Sequence, residues 1–553
     1  MGNLKNNVVY QIYPKSFKDT NNDGIGDLRG VIEKLDYIKA LGVDYIWITP
    51  FYISPQNDNG YDISDYYNID PMYGTIEDFE ELVKESNKRG LKLMLDMVFN
   101  HTSTNHEWFK KALNGEKKYK DFYIFKKGKE DGTCPTNWKS KFGGSAWEYV
   151  ESLDEYYLHL FDKTQADLNW DNKELRDEIY KVVNFWIEKG VKGFRLDVIN
   201  LISKEAEFED DFIGDGRRFY TDGPNIHKYL KELNENTFGK YDDIITVGEM
   251  SSTNIENCLK YSNPDRKELS MVFNFHHLKV DYTNGNKWDI RDFDFVELKK
   301  LFEQWQTEMI KGNGCTAVFW CNHDQQRINS RFCDVENYHR ESSTMLANAI
   351  HLMNGVPYIY QGEEIGMTDP NFKDINQYRD VESINYYNAL KEDGKTKDEI
   401  IPILSKRSRD NSRTPMQWDK SENAGFTNGQ PWIDVASNYN HINVKDSLDN
   451  NTSILHYYKK LIAVRKNESI IVDGNFRLLL RDDENIYAYE RSLDGEKIIV
   501  VNNFYAKECS VDLASELGGN INSYEVLISN YDFNHKDLNK VNLKPYEAFA
   551  IKI

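Results

Sequence analysis

Seven strand-sized apolar runs recur along the chain: Val8 to Tyr13, Tyr45 to Thr49, Lys92 to Val98, Gly193 to Val198, Ile244 to Gly248, Ala317 to Trp320 and Pro357 to Tyr360. The segments between them include Leu28 to Leu41, Ile76 to Arg89 and Leu175 to Lys189, which carry apolar side chains at helical spacing. Gly42, Gly90 and Gly190 stand where C-terminal caps belong. This βα alternation folds as a parallel sheet, either closed into a barrel or doubly wound. A doubly wound nucleotide binder carries a glycine-rich turn after its first strand, and no G-x-G-x-x-G or G-x-x-x-x-G-K occurs in that setting. The predicted fold class is therefore α/β, a (β/α)8 TIM barrel.

The chain has 553 residues, whereas a bare barrel needs about 250. Between Thr102 and Asp167 the rhythm stops in a stretch rich in Lys, Gly, Trp and Tyr, which predicts an insertion domain over 102–167, after strand three. Past residue 475 come short alternating runs, Ile486 to Arg491, Lys497 to Asn502 and Ala548 to Ile553, separated by Asp, Asn and Gly. They predict an antiparallel β-sandwich domain over 476–553. The barrel is left with 1–101 and 168–475, including a helical loop excursion at about 368–413.

Acidic side chains outnumber basic ones 90 to 69, a net charge of -21, which argues against nucleic acid or an anionic membrane as partner. The polar opening from Met1 to Tyr10 has no signal-peptide run, and no apolar stretch approaches the roughly twenty residues of a membrane span. The six cysteines form no C-x-x-C pair, so neither a zinc site nor a disulfide framework is indicated. A cytoplasmic monomer is expected.

A barrel active site lies at the carboxyl ends of the strands, and four strands deliver acids there: Asp96, Asp197, Glu249 and, in Asn322-His323-Asp324, Asp324. One such acid is usually a cap or turn former. Four at one face repel one another, a cost that function normally justifies. A separate segment, Asp19 to Asp27, places oxygen donors at every second position: Asp19, Asn21, Asp23, the Ile25 carbonyl and Asp27. That pattern suits calcium or magnesium, although Gly30 at the twelfth position excludes an EF-hand and a plain polar turn is the alternative.

The runs Asp96-Met-Val-Phe-Asn-His101, Gly193-Phe-Arg-Leu-Asp197-Val198, Val247-Gly-Glu249-Met250 and Asn322-His323-Asp324 resemble, in order and context, the four signature regions of the α-amylase family of glycoside hydrolases. The resemblance implies that Asp197 is the nucleophile, Glu249 the general acid/base and Asp324 a stabiliser of the distorted sugar. A retaining mechanism needs two such carboxyls about 5 Å apart. Arg195, on the same strand face as Asp197, is expected to keep the nucleophile ionised, and crowding by Asp197 and Asp324 to keep a proton on Glu249. Asp58 and Tyr61 of Asp58-Asn59-Gly60-Tyr61-Asp62, His101, His323, Phe142 and Arg409 are carried over as contacts of a pocket closed around one glucose, with Arg413 an alternative to Arg409. In the oligo-1,6-glucosidase branch a loop similar to Asp19–Asp27 binds calcium, so a structural Ca2+ (or Mg2+) is implied, with no cofactor for the chemistry. Where the family commonly reads Gln-Pro-Arg, this chain has Gln325-Gln326-Arg327, and the missing proline is expected to loosen the loop carrying Asp324.

Val198 resembles the residue found after the nucleophile in α-1,6-cleaving and trehalose-6-phosphate-cleaving members. Gly216 to Gly223, Glu249 to Thr253 and Phe273 to Tyr282 look like the latter group. A phosphorylated sugar approaching a chain of net charge -21 needs local cations to offset the repulsion. Lys279 with His276 or His277, Arg217 with Arg218, and Lys139 with Lys141 lie in loops expected at that face, with Lys279 and Lys141 preferred as phosphate contacts. The expected reaction is retaining hydrolysis of α,α-trehalose 6-phosphate, a small phosphorylated disaccharide. The alternatives are an oligo-1,6-glucosidase, a sucrose-isomerising transglucosylase and, as a different class, a non-catalytic binding subunit.

Overall fold

The structure, a computed structural model, describes residues 4–553. Met1 to Asn3, where the expected barrel boundary and the start of the polar opening fall, lie outside the described residues. Eight parallel strands form one sheet: β1 Val9–Ile12, β2 Tyr45–Ile48, β3 Lys92–Val98, β4 Gly193–Asp197, β5 Ile245–Glu249, β6 Met271–Phe273, β7 Ala317–Val318 and β8 Val356–Tyr360. Their order is β6-β5-β4-β3-β2-β1-β8-β7, and a parallel bridge between Val272 and Thr316 joins the two end strands, closing the barrel. Every residue of β1, β2, β4 and β8 is buried, as parallel strands covered on both faces require.

The helices begin and end on the expected chemistry. Ile76–Lys88 starts in a capping box between Thr75 and Asp78 and stops before Gly90, whose φ is 66°. Lys173–Glu188 takes Asn172 as its N-cap. Two expectations need correction. Leu28 to Leu41 is two helices, Leu28–Glu33 and Leu35–Leu41, because Lys34 leaves helical geometry (φ -101°, ψ 5°), with its ammonium 4.6 Å from the Trp418 ring centroid. Strand β6 has no counterpart among the predicted runs, since its Met-Val-Phe is too short to show a period.

The insertion leaves the barrel through an antiparallel pair, His101–Ser103 with Gln165–Asp167, and carries a three-stranded sheet of Phe125–Lys126, Glu155–Leu158 and Trp147–Val150. At its root the Lys204 ammonium donates to Asn100 Oδ1 at 2.9 Å and pairs with Asp167 Oδ1 at 2.8 Å. Two helices, Val381–Glu392 and Lys397–Arg407, form the excursion between β8 and the end of the barrel.

After the barrel come β9 Asn475–Leu479, β10 Ile486–Leu493, β11 Glu496–Asn503, β12 Cys509–Asp512, β13 Glu525–Ser529, β14 Lys540–Leu543 and β15 Ala548–Lys552. They build an antiparallel sheet, β9-β10-β11-β15-β13, and a β12–β14 pair. Ile499, Phe549 and Ile551 from the sheet meet Val511, Val541 and Leu543 from the pair in one core. A single buried lysine ties these strands to the barrel: Lys299, on helix Phe295–Lys311, donates to the carbonyls of Leu480, Asp483 and Ile486 at 2.5, 2.7 and 3.0 Å. No helix among the described residues is long and apolar enough to cross a membrane.

Candidate active site

Strand geometry brings the acids to one point. Asp197 and Glu249 are the last residues of β4 and β5, Asp96 lies on β3 between them and β2, and Asp324 sits in the loop after β7. Arg195, two residues before Asp197 and fully buried, is the hub: Nη1 donates to Asp96 Oδ1 at 2.8 Å and to Asp197 Oδ1 at 2.5 Å, and Nη2 donates to Glu249 Oε2. Its guanidinium lies 5.3 Å from the Trp47 ring centroid and 5.8 Å from that of Tyr61. Trp47 Nε1 and the Tyr61 hydroxyl both donate to Asp96 Oδ2, at 3.2 and 2.9 Å.

Three carboxylates thus face one buried cation. Burial pushes the Asp197 carboxyl well above the usual range; Arg195 pulls it down, and Glu249 and Asp96 push it up again. Burial likewise raises Asp96, to about 6, against the pull of Arg195. Arg195 is thus the main influence favouring an ionised Asp197, opposed by desolvation and by the neighbouring carboxylates. Immediately after Asp197, Val198 adopts φ 35°, a left-handed conformation that a β-branched residue rarely takes. The turn aims its amide at Glu249 Oε2, 3.4 Å away.

Around this centre lies a cavity of about 290 Å³, lined by Asp58, Tyr61, His101, Phe142 and Arg409 of the sequence-predicted glucose contacts, with His323 fully buried outside the lining. The Tyr61 ring stacks on His323 with centroids 5.1 Å apart and planes 3° apart. Gln11 Nε2 donates to His323 Nδ1 at 2.9 Å, leaving Nε2 to carry the proton, 3.3 Å from Asp324 Oδ2. Burial drives the His323 imidazole down to about 3 and that of His101 down to about 4, so both are neutral donors. His101 Nε2 lies 3.2 Å from the Tyr61 carbonyl. Arg409 donates to Asp58 Oδ1 at 2.9 Å and to Asp324 Oδ1 at 3.3 Å, and its guanidinium lies 4.9 Å from the Phe142 ring centroid. Arg413 also reaches Asp324 Oδ1, at 2.8 Å, so both candidate arginines serve the same carboxylate. Burial opposes ionisation of Asp324, but His323, Arg409 and Arg413 outweigh it and hold the carboxyl well below its ordinary range. Asp58, more deeply buried, is pushed up to about 7 despite Arg409.

The loop bearing Asp324 is tied down in spite of Gln326. Arg413 Nε donates to the His323 carbonyl at 2.8 Å, and the Arg327 amide and guanidinium donate to Asp369 Oδ1 at 2.9 Å and the Gln361 carbonyl at 2.7 Å. These contacts to Arg413, Asp369 and Gln361 restrain the loop on either side of Gln326.

Lys141, Lys279, Ser251, Phe275 and Lys287 line the same cavity. Lys141 Nζ donates to Ser251 Oγ at 3.2 Å, and burial with Arg217 nearby lowers its ammonium to about 8. Burial and Arg217 lower Lys279 as well. Arg217 itself lies outside the lining, held by Asp215. His276 is not brought into the cavity: its ring packs on Trp305 with centroids 5.2 Å apart, and His277 is buried against the Phe319 carbonyl.

Sequence reasoning missed Asp380, Gln165, Lys287 and Glu382. Asp380, fully buried, accepts from Arg409 Nε at 2.9 Å and from Nη2 at 2.5 Å. It also caps helix Val381–Glu392, and in the sequence only that cap signal is visible. Gln165 Nε2 donates to Asp58 Oδ2 at 3.1 Å from the foot of the insertion. Lys287 pairs with Glu382 across the cavity wall.

The Asp19–Asp27 loop is separate and closed by its own hydrogen bonds. Asp19 accepts from the Asn21, Asn22 and Gly24 amides at 2.9, 2.7 and 2.8 Å, and Asp27 caps the following helix through Gly30 N at 2.7 Å. Among the described residues no three His, Cys, Asp or Glu side chains are grouped to hold a metal ion. An ion here would need the Asn21 amide and Ile25 carbonyl oxygens, hard donors that suit Ca2+ or Mg2+.

A barrel presenting this acid cluster defines the class. Residues 11–474 match the α-amylase catalytic domain and residues 476–550 the maltogenic amylase C-terminal domain, and the chain belongs to the α-amylase family of glycoside hydrolases. Within that family it is 55% identical over 550 residues to the trehalose-6-phosphate hydrolase of Bacillus subtilis, covering 99% of this chain and 98% of that one. It is 48% identical over 556 residues to the oligo-1,6-glucosidase of Bacillus cereus, covering 99% of each. The crystal structure of Bacillus licheniformis trehalose-6-phosphate hydrolase matches with a TM-score of 0.95 at 57% identity over 99% of both chains. That of the trehalulose synthase of Pseudomonas mesoacidophila matches at 0.94 and 38%, again over 99% of both.

Asp380→Asn keeps the shape but removes one of the two buried counterions of Arg409, leaving Asp58. Losing the group that orients Arg409 toward Asp58 and Asp324 is expected to lower kcat/KM on an aryl α-glucoside about 100-fold, with an unchanged circular dichroism spectrum. Activity within a few-fold of wild type would show that Asp380 does not position Arg409.

Proposed function

We propose that the protein hydrolyses α,α-trehalose 6-phosphate to glucose and glucose 6-phosphate with retention of configuration, as a monomer in the cytoplasm. One observation carries the substrate: Lys141 and Lys279 line the same cavity as Asp197, Glu249 and Asp324, in a chain of net charge -21. Cations desolvated beside acids are costly unless they meet an anion there. The names of the Bacillus subtilis relative and of the Bacillus licheniformis structure reported above agree, and six free cysteines suit a reducing compartment.

In this mechanism the unphosphorylated glucose lies against Asp58, Tyr61, His101 and Arg409, with His323 stacked on Tyr61, and the phosphorylated glucose lies toward Lys141 and Lys279. Asp197 attacks the anomeric carbon while Glu249 gives its proton to the bridging oxygen, so that the C–O bond breaks, glucose 6-phosphate leaves and a glucosyl ester forms on Asp197. Glu249 then takes a proton from water, which attacks the same carbon, releases glucose and restores Asp197. Asp324, held ionised by Arg409 and Arg413, is placed to stabilise positive charge developing on the ring.

The Asp19–Asp27 loop is proposed to hold a structural Ca2+ (or Mg2+) through Asp19, Asn21, Asp23, the Ile25 carbonyl and Asp27, on the strength of its alternating oxygen donors. Calcium at millimolar concentration is then expected to raise the melting temperature of chelator-treated protein by a few degrees. An unchanged melting curve, with no calcium bound on equilibrium dialysis, would make the loop a plain turn.

Lys279→Ala is expected to raise KM for trehalose 6-phosphate about tenfold or more while leaving an uncharged aryl α-glucoside within about twofold. Equal losses on both substrates would remove Lys279 from the phosphate contact.

A further inference from the structure

Just outside the phosphate end of the cavity, one carboxylate occupies an arginine that the phosphate could use. Arg217 opens the short turn Arg217–Phe219 after Gly216, which has φ 98°. A Cβ on Gly216 would lie 2.4 Å from the Trp138 ring, so glycine is what lets this turn seat against the insertion domain. The Lys139 amide, donating to the Asp215 carbonyl at 3.0 Å, fixes the turn on the side of Lys141, whose ammonium is 5.8 Å from the ring centroid of Tyr220, just past the turn.

In that setting Asp215 takes the Arg217 guanidinium as a fork: Nε donates to Oδ1 and Oδ2 at 2.9 and 3.1 Å, and Nη2 to Oδ2 at 2.5 Å. A phosphate ester accepts arginine in the same two-pronged way. Both partners are partly open to solvent, with side-chain exposures of 55% and 37%, so the pair can exchange. After burial, Arg217 is the strongest influence lowering Lys141 and Lys279, and Asp215 acts on Lys141 in the opposite sense. Three cations and one carboxylate therefore share a single electrostatic neighbourhood.

Resting on the substrate assigned above, we propose that Asp215 is a positioning residue that competes with the phosphate ester for Arg217 and so keeps the affinity of this end low enough for glucose 6-phosphate to leave. Contacts that hold substrate and product alike lower KM without speeding chemistry, and they slow release. A resident carboxylate offsets part of that binding when the anion departs.

The test is inhibition of para-nitrophenyl α-glucoside hydrolysis by glucose 6-phosphate, in the wild type and in Asp215→Asn, Asp215→Glu and Arg217→Gln. Because the reporter substrate carries no phosphate, the inhibition constant reads the anion site whichever disaccharide is the natural substrate. Asp215→Asn is expected to tighten inhibition about three- to tenfold, Asp215→Glu to restore it, and Arg217→Gln to weaken it. Unchanged or weaker inhibition in Asp215→Asn, at normal aryl-glucoside turnover, overturns the proposal. Should that variant not fold, unchanged inhibition in Arg217→Gln overturns it instead. Wild-type kinetics on trehalose 6-phosphate, run alongside, separate the two claims: no preference for it sinks the substrate assignment, while tightened inhibition in Asp215→Asn leaves the role of Asp215 standing.

Discussion

One buried guanidinium organises this molecule. Among the described residues Arg195 is the ion-pair partner of Asp96 and Asp197, and it also holds Glu249, so three barrel strands converge on a single cation. Removing three carboxylates from water without it would be prohibitive, and with it one cation still faces three acids. Retaining chemistry requires that imbalance, because one acid must attack while another donates. The surrounding parts serve it: Trp47 and Tyr61 enclose the guanidinium, and the strained Val198 turn sets the angle between the last residues of β4 and β5.

A second charge network, built on Arg409, is independent of the first in sequence and meets it at the cavity, which Asp324 lines together with Asp197 and Glu249. Arg409 gathers Asp58 from the β2 side, Asp324 from the loop after β7 and Asp380 from the excursion. The excursion therefore belongs to the site. Its helix Val381–Glu392 starts on the same carboxylate that fixes Arg409, and Asn385 reaches across to the Phe142 carbonyl in the insertion at 3.4 Å.

Much of this was legible because a barrel turns strand ends into an active-site address. Asp197, Glu249 and Asp324 could be picked out for that reason, and Gly42, Gly90 and Gly190 marked helix ends because only a left-handed residue fits there. What stayed hidden has physical causes. Asp380 looks like an ordinary N-cap, and it is one. Strand β6 has three residues, too few for a period. His276, His277 and Lys279 are near neighbours in a tight turn where consecutive side chains diverge, so adjacency could not say that only Lys279 faces the cavity. Burial, invisible in a sequence, outweighs Arg195 at Asp197.

Net charge proves a poor guide to ligand charge. A chain of net charge -21 still places desolvated lysines in its cavity, so the local field and not the net charge governs how a small anion is received. The most direct test is therefore a comparison of kcat/KM for trehalose 6-phosphate, isomaltose and sucrose on the purified protein, with glucose 6-phosphate quantified as product. A value for trehalose 6-phosphate at least about 100-fold above the others, with equimolar glucose and glucose 6-phosphate, is the predicted result. Faster cleavage of isomaltose, or isomerised sugar from sucrose in place of free glucose, would contradict it.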